Sequence, residues 1–127
     1  AQRVVTHAGP VSVRSAALLG TLVGLALSGC GAPPLYYWGH YEELGYDMYA
    51  KPGKATPSVQ VERLSHDVEY AAANGLRVAP GVHLHLGYMY FLEGNAAAAR
   101  QELETEKQLF PEATVFVDRL LAKMEAP

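Results

Sequence analysis

Few side chains in this sequence are of a type and spacing that could do chemistry. His83 and His85 are the closest pair of histidines, but residues two apart on a helix do not share a face. A zinc site would also need further converging ligands, and His40 and His66 lie elsewhere in the chain. Glu102, Glu104 and Glu106 suggest acid–base work, yet they run beside Lys107 and Gln108 and are expected on the solvated side of a helix. Ser58, Ser65 and the tyrosines have no neighbouring His–carboxylate pattern that would activate a nucleophile, and no glycine-rich phosphate loop occurs. The sequence therefore does not read as an enzyme, and no catalytic residue, cofactor or metal ligand is assigned. One reactive side chain stands apart. Cys30 is the only cysteine and directly follows Leu27-Ser28-Gly29 at the end of an apolar run, a placement that reads as a lipidation site.

The elements around Cys30 support that expectation. The first 15 residues carry Arg3 and Arg14 and no acid, and residues 16–27 are uncharged and rich in leucine, the basic-then-apolar layout of a secretory signal. A membrane-spanning helix needs roughly 20 such residues, and the run has no polar face to offer water as a soluble helix would. Here the chain resembles bacterial lipoprotein precursors, whose signature of Leu, two small residues and Cys is met by Leu27, Ser28, Gly29 and Cys30. The resemblance implies cleavage between Gly29 and Cys30, acylation of the sulfur with palmitate or a similar chain, and acylation of the new amino group. With Gly31 and not Asp behind the cysteine, it further implies delivery to the outer membrane as a lipid-anchored protein facing the periplasm. The expected organisation is a leader over residues 1–29, a lipidated tether and aromatic-rich segment over 30–56, and a helical domain over 57–127.

Removing the leader leaves 98 residues, enough for one small domain. It also removes two arginines and no acid, so the net charge of −3 becomes −5. That sign argues against nucleic-acid binding, which needs a basic footprint, and against attraction to anionic lipid heads. Pro33-Pro34 favours an extended tether over residues 31–35. Tyr36, Tyr37, Trp38, Tyr41, Tyr46 and Tyr49 then fall close together. Such rings suit a core wedge or a contact surface, and Tyr36, Tyr37, Trp38 and Tyr41 are the candidates for partner binding.

Beyond a Pro- and Gly-rich loop, Thr56-Pro57 has the form of a helix start. Val61, Leu64, Val68, Ala71 and Ala72 recur at helical spacing up to Asn74-Gly75. Pro80 opens a second expected helix, through Leu84, Tyr88, Phe91 and Leu92 to Gly94-Asn95. A third runs from Ala96 to Phe110, and a fourth begins at Pro111 with Phe116, Val117, Leu120, Leu121 and Met124 on one side. No strand-like alternation appears, so the expected class is all-α.

The second and third helices resemble the tetratricopeptide repeat, a 34-residue helical hairpin. Laid from Pro80 to Ala113, the chain supplies Leu86, Gly87, Tyr90, Gly94, Ala99 and Pro111 in register, with Leu103 in place of the usual aromatic. His83 stands where Trp is common and Glu106 where a small residue is usual. A single repeat does not bury its own apolar face, so the flanking helices, the aromatic segment or a partner must cover it. Across the whole body, the run Tyr37-Trp38-Gly39-His40-Tyr41-Glu42, the Gly87-Tyr88-Met89-Tyr90 helix, Glu104-Thr105-Glu106-Lys107 before Phe110-Pro111-Glu112, and Asp118-Arg119-Leu120 are similar to the small bacterial lipoproteins called domain of unknown function 4810. That resemblance implies an outer-membrane lipoprotein in the company of other envelope lipoproteins, one of them like the curli secretion channel. The expected role is a lipid-anchored adaptor or assembly protein that binds other envelope proteins. The alternative is a small-ligand carrier or an unrecognised enzyme with a pocket at the aromatic segment.

Overall fold

The computed structural model describes residues 31–126; the leader, Gly29 and Cys30 lie outside the described residues. Residues Pro34–Pro127 form one compact unit, in which the aromatic segment packs with the helices. Among the described residues five α-helices follow one another: α1 (Tyr41–Ala50), α2 (Pro57–Ala73), α3 (Val82–Leu92), α4 (Ala96–Leu109) and, after a 3₁₀ turn at Pro111–Ala113, α5 (Thr114–Glu125). The class is all-α.

Local chemistry sets most of the boundaries. The Thr56 hydroxyl accepts the Val59 N–H at 3.4 Å, and Pro57 occupies the first turn of α2, where its missing N–H costs nothing. The same closing motif ends α2 and α3. The Leu76 N–H reaches back to the Ala71 carbonyl at 2.9 Å around Gly75, and the Asn95 N–H reaches the Tyr90 carbonyl at 2.9 Å around Gly94. Each glycine is left-handed there, with φ of +64° and +80°, a conformation other residues adopt only at a cost. The Asn95 side chain then caps α4 by accepting the Ala98 N–H at 3.1 Å, so one tight turn folds α4 back on α3.

Three sequence expectations are corrected. The helix expected to open at Pro80 begins at Val82, because Gly81 takes φ +91° and breaks the run. The helix expected from Pro111 begins as a 3₁₀ turn and becomes α-helical at Thr114. Part of the aromatic segment is itself a helix, α1, which turns Leu44 into the core while Tyr46 and Tyr49 face water.

The core has two parts. Leu44, Ala55, Leu64, Ala79, Val82 and Leu86 form one, closed by Tyr36, Tyr41, Met48 and Tyr90 among others. Leu103, Val117 and Leu121 form the second, with Leu84, Leu120 and Met124 packed against it. Gly87 lies where α3 crosses α4: a Cβ there would sit 3.0 Å from the Ala99 carbonyl oxygen and 3.0 Å from Leu103 Cγ. The absent side chain lets the two backbones close, and Leu86, Ala99 and Leu103 are all buried around it.

Candidate interaction surfaces

The polar residues that sequence reasoning left to solvent hold the fold together from inside. Glu106 is 2 % exposed, and its carboxylate accepts the Gly81 N–H at 2.7 Å and the Leu84 N–H at 3.3 Å. A residue of α4 thus caps the first turn of α3, where unpaired N–H groups and the helix dipole favour a negative charge. This corrects the expectation of a solvated face and accounts for a large residue at a position the repeat pattern keeps small. Glu102 is likewise engaged, bonded to His83 Nδ1 at 2.7 Å. Only Glu104 of the three stays on the rim, beside Lys107 at 3.3 Å.

His83 and His85 point to different neighbours, as their spacing requires. His85 Nε2 lies 2.6 Å from Gln60 Oε1, while Gln60 Nε2 donates to the Ala55 carbonyl at 2.8 Å. That donation fixes the amide orientation, so His85 must carry its proton on Nε2. Burial pushes the His85 pKa down from 6.5 and keeps the ring neutral. Among the described residues no three His, Cys, Asp or Glu side chains converge to hold a metal.

The aromatic strap, residues 36–41, is pinned along its length. The Tyr37 N–H donates to the Arg77 carbonyl at 2.7 Å, and its carbonyl accepts the Ala79 N–H at 3.1 Å, a lone parallel bridge to Val78. Asp67, 3 % exposed, accepts the His40 N–H at 2.7 Å and bonds His40 Nδ1 at 2.9 Å. Gly39, at φ +52°, passes so close that any Cβ would land on that carboxylate. Tyr36 packs edge-on against Phe110 and lies under the Arg77 guanidinium; Tyr37 leans on Tyr70; Tyr41 meets His85 edge-on. Burial, with Glu106 adding to it, pushes the Tyr41 hydroxyl pKa up.

The four candidate contact residues are therefore not equivalent. The three tyrosines are half-buried and bind the strap to the body, whereas Trp38 lies over Tyr41 with 41 % of its surface open. Trp38 is the open member because Asp67 and the 77–79 backbone fix the strap with the tyrosines turned inward.

Among the open apolar surfaces of the described residues, two stand out by their lining. One is a groove of about 320 Å³ between α3 and α5, lined by Leu84, His85, Tyr88, Phe116 and Leu120. Leu84 with Tyr88 and Phe116 with Leu120 are pairs four residues apart, so each helix gives one stripe, and Phe116 is 58 % exposed. Sequence reasoning placed Phe116 on the packed side of the last helix; only Val117 and Leu121 are buried there. The other surface is a shallow cleft of about 310 Å³ where Trp38 meets Leu35, Leu76 and Arg77. No helix among the described residues is long and apolar enough to cross a membrane.

No curated protein and no solved structure matches this chain. The family model described as domain of unknown function 4810 matches residues 35–120, the strap and all five helices up to the middle of α5, and the chain belongs to that family.

Proposed function

We propose that this member of the family is a lipid-anchored adaptor of the bacterial outer membrane: Cys30 carries the acyl chains, and the α3–α5 groove holds a segment of another envelope protein. The observation that carries this reading is the groove itself, two facing apolar stripes that no part of the described chain covers. Isolated exposed apolar residues are ordinary, but a contiguous lined patch marks an interaction site. The α3–α4 pair supports a tetratricopeptide-like unit, since Gly87 allows the close approach, Gly94 makes the turn, and Leu86, Ala99 and Leu103 are buried. In such units the first helices of successive hairpins line the binding face, which matches α3 and α5. A curli-channel-like lipoprotein is the partner class suggested by the company of related proteins. The chain acts without catalysis.

The test is crosslinking of the native protein in cells, with Phe116→Ser and Tyr88→Ser beside it. Loss of the crosslinked partner at unchanged melting temperature supports the groove; an unchanged partner band in both variants rejects it. Fractionation with acyl labelling decides the anchor separately, because Cys30→Ala should release a folded body. One observation favours a second reading, a carrier of a small carboxylate. Arg77 and His83 line one apolar cleft of about 370 Å³, and saturable binding of a short-chain carboxylate that Arg77→Ala removes would favour it.

A further inference from the structure

The strap cleft has a different character from the groove. Leu35 is 67 % exposed, Trp38 41 % and Leu76 43 %, and with Pro34, Tyr36, Tyr37 and Arg77 they line one shallow depression. No aspartate or glutamate lines it, although the chain as a whole is acidic. Its one charge is the Arg77 guanidinium, which lies 5.0 Å above the Tyr36 ring and pairs with no carboxylate among the described residues. The backbone bridge at Tyr37 and the Asp67–His40 bonds hold this arrangement, so the open ring of Trp38 is presented by a fixed frame.

We infer that this face rests on the phospholipid surface of the membrane that holds the anchor, with Trp38 and Leu35 in the headgroup–acyl boundary and Arg77 among the phosphates. The inference rests on the lipid-anchored reading above. Chain length supplies the first argument. Five residue steps separate Cys30 from Leu35, and an extended chain spans at most about 3.6 Å per residue, so Leu35 lies within about 18 Å of the acylated residue. A body of this size has a radius of gyration of roughly 12 Å, so the strap face is the part of it that meets the bilayer first. Chemistry supplies the second. Tryptophan concentrates at membrane interfaces, and arginine can lay its stem on apolar surface while its head stays among polar groups. A single unpaired cation on an acid-free face also complements phosphate, where the overall charge of the body would be repelled. Docking at this face would hold the body in one orientation and direct a second surface, the α3–α5 groove, to whatever it binds.

Trp38 is the only tryptophan and Cys30 the only thiol, so the test can be made specific. The mature chain, beginning at Cys30, is coupled through that cysteine to a maleimide phospholipid and placed in vesicles of phosphatidylethanolamine and phosphatidylglycerol. Trp38 emission should shift to the blue, be quenched by bromine on the upper acyl carbons, and become less accessible to aqueous iodide than in the uncoupled chain. Leu35→Glu, at a residue open to solvent, should leave the melting temperature unchanged and abolish the bromolipid quenching. Silent bromolipids with full iodide quenching in the coupled wild-type chain would overturn the inference, as would bromolipid quenching unaffected by Leu35→Glu. Because the lipid is supplied chemically, these outcomes are independent of natural acylation of Cys30, which mass spectrometry of the native protein decides by itself.

Discussion

The two ends of the helical array are finished in different ways. Around α1, α2 and the strap, buried polar groups complete the packing: Asp67 takes up the His40 backbone, Gln60 bridges Ala55 and His85, and a glycine clears space for a carboxylate. Around α5 the core is one row of Val117 and Leu121, and the polar links, Lys107 to Asp118 and Arg100 to Glu125, are exposed pairs. Exposed ion pairs contribute little, typically under about 1 kcal/mol, whereas a buried group that loses its partner costs about 1–3 kcal/mol. The strap end is thus fixed, and the α5 end is held mainly by a thin apolar seam. A surface that must receive a partner can sit on the looser end, since binding elements are drawn from the regions of lower local stability.

The sharpest way to break this contrast is to empty each core in turn. Leu64→Ala, at a fully buried site between α2 and α3, should cost about 2–5 kcal/mol. Leu121→Ala, partly relieved by its place near the surface, should cost less and let the α5 amides exchange early. Thermal melts with hydrogen exchange read both, and equal losses with uniform exchange would remove the distinction. Next in size, Glu106→Ala leaves the Gly81 and Leu84 N–H groups unpaired and should cost about 1–3 kcal/mol, against about 0.5 kcal/mol or less for Glu104→Ala. A difference of that size in denaturant midpoints confirms Glu106 as the cap of α3. Gly39→Ala tests the strap alone. Added bulk against Asp67 at a left-handed φ should cost about 1–3 kcal/mol, and protease sensitivity should rise first in residues 31–41.

The smallest expected effect is one of pH. The folded state holds His85 neutral, with a pKa below its ordinary 6.5, so the unfolded chain binds the proton more readily. The stability from this site is complete above about pH 6.5 and declines as pH falls from there toward the lowered folded value. His85→Gln can keep a bond to Gln60 and cannot titrate. Melts between pH 7.5 and 5 should therefore fall more steeply for the wild type; parallel curves would place the pH response elsewhere.

Much of the fold was written locally. The Thr56-Pro57 start, the Asn74-Gly75 and Gly94-Asn95 stops and the apolar spacing of α2 to α4 depend on residues close in sequence, and each was legible within a residue or two. Helix α1 escaped notice because its Gly45 and many tyrosines obscure the period. Glu42 and Glu43 in its first turn, with Leu44 and Met48 four apart, were the available signals.

What the sequence by itself determined is the all-α class, the family, the order of helices α2 to α5 and the place of Gly87 in the repeat register. What only the tertiary structure decided is which polar and aromatic residues face inward. Glu106 looks solvated beside Lys107 until α3 brings two unpaired N–H groups to it, and the four strap rings look alike until Asp67 and the Arg77 backbone turn the tyrosines inward and leave Trp38 open. The physical reason is the range of the interactions. Helix caps and periodicity act over three or four residues, whereas these carboxylates and rings meet partners more than twenty positions away, and no local pattern records that distance.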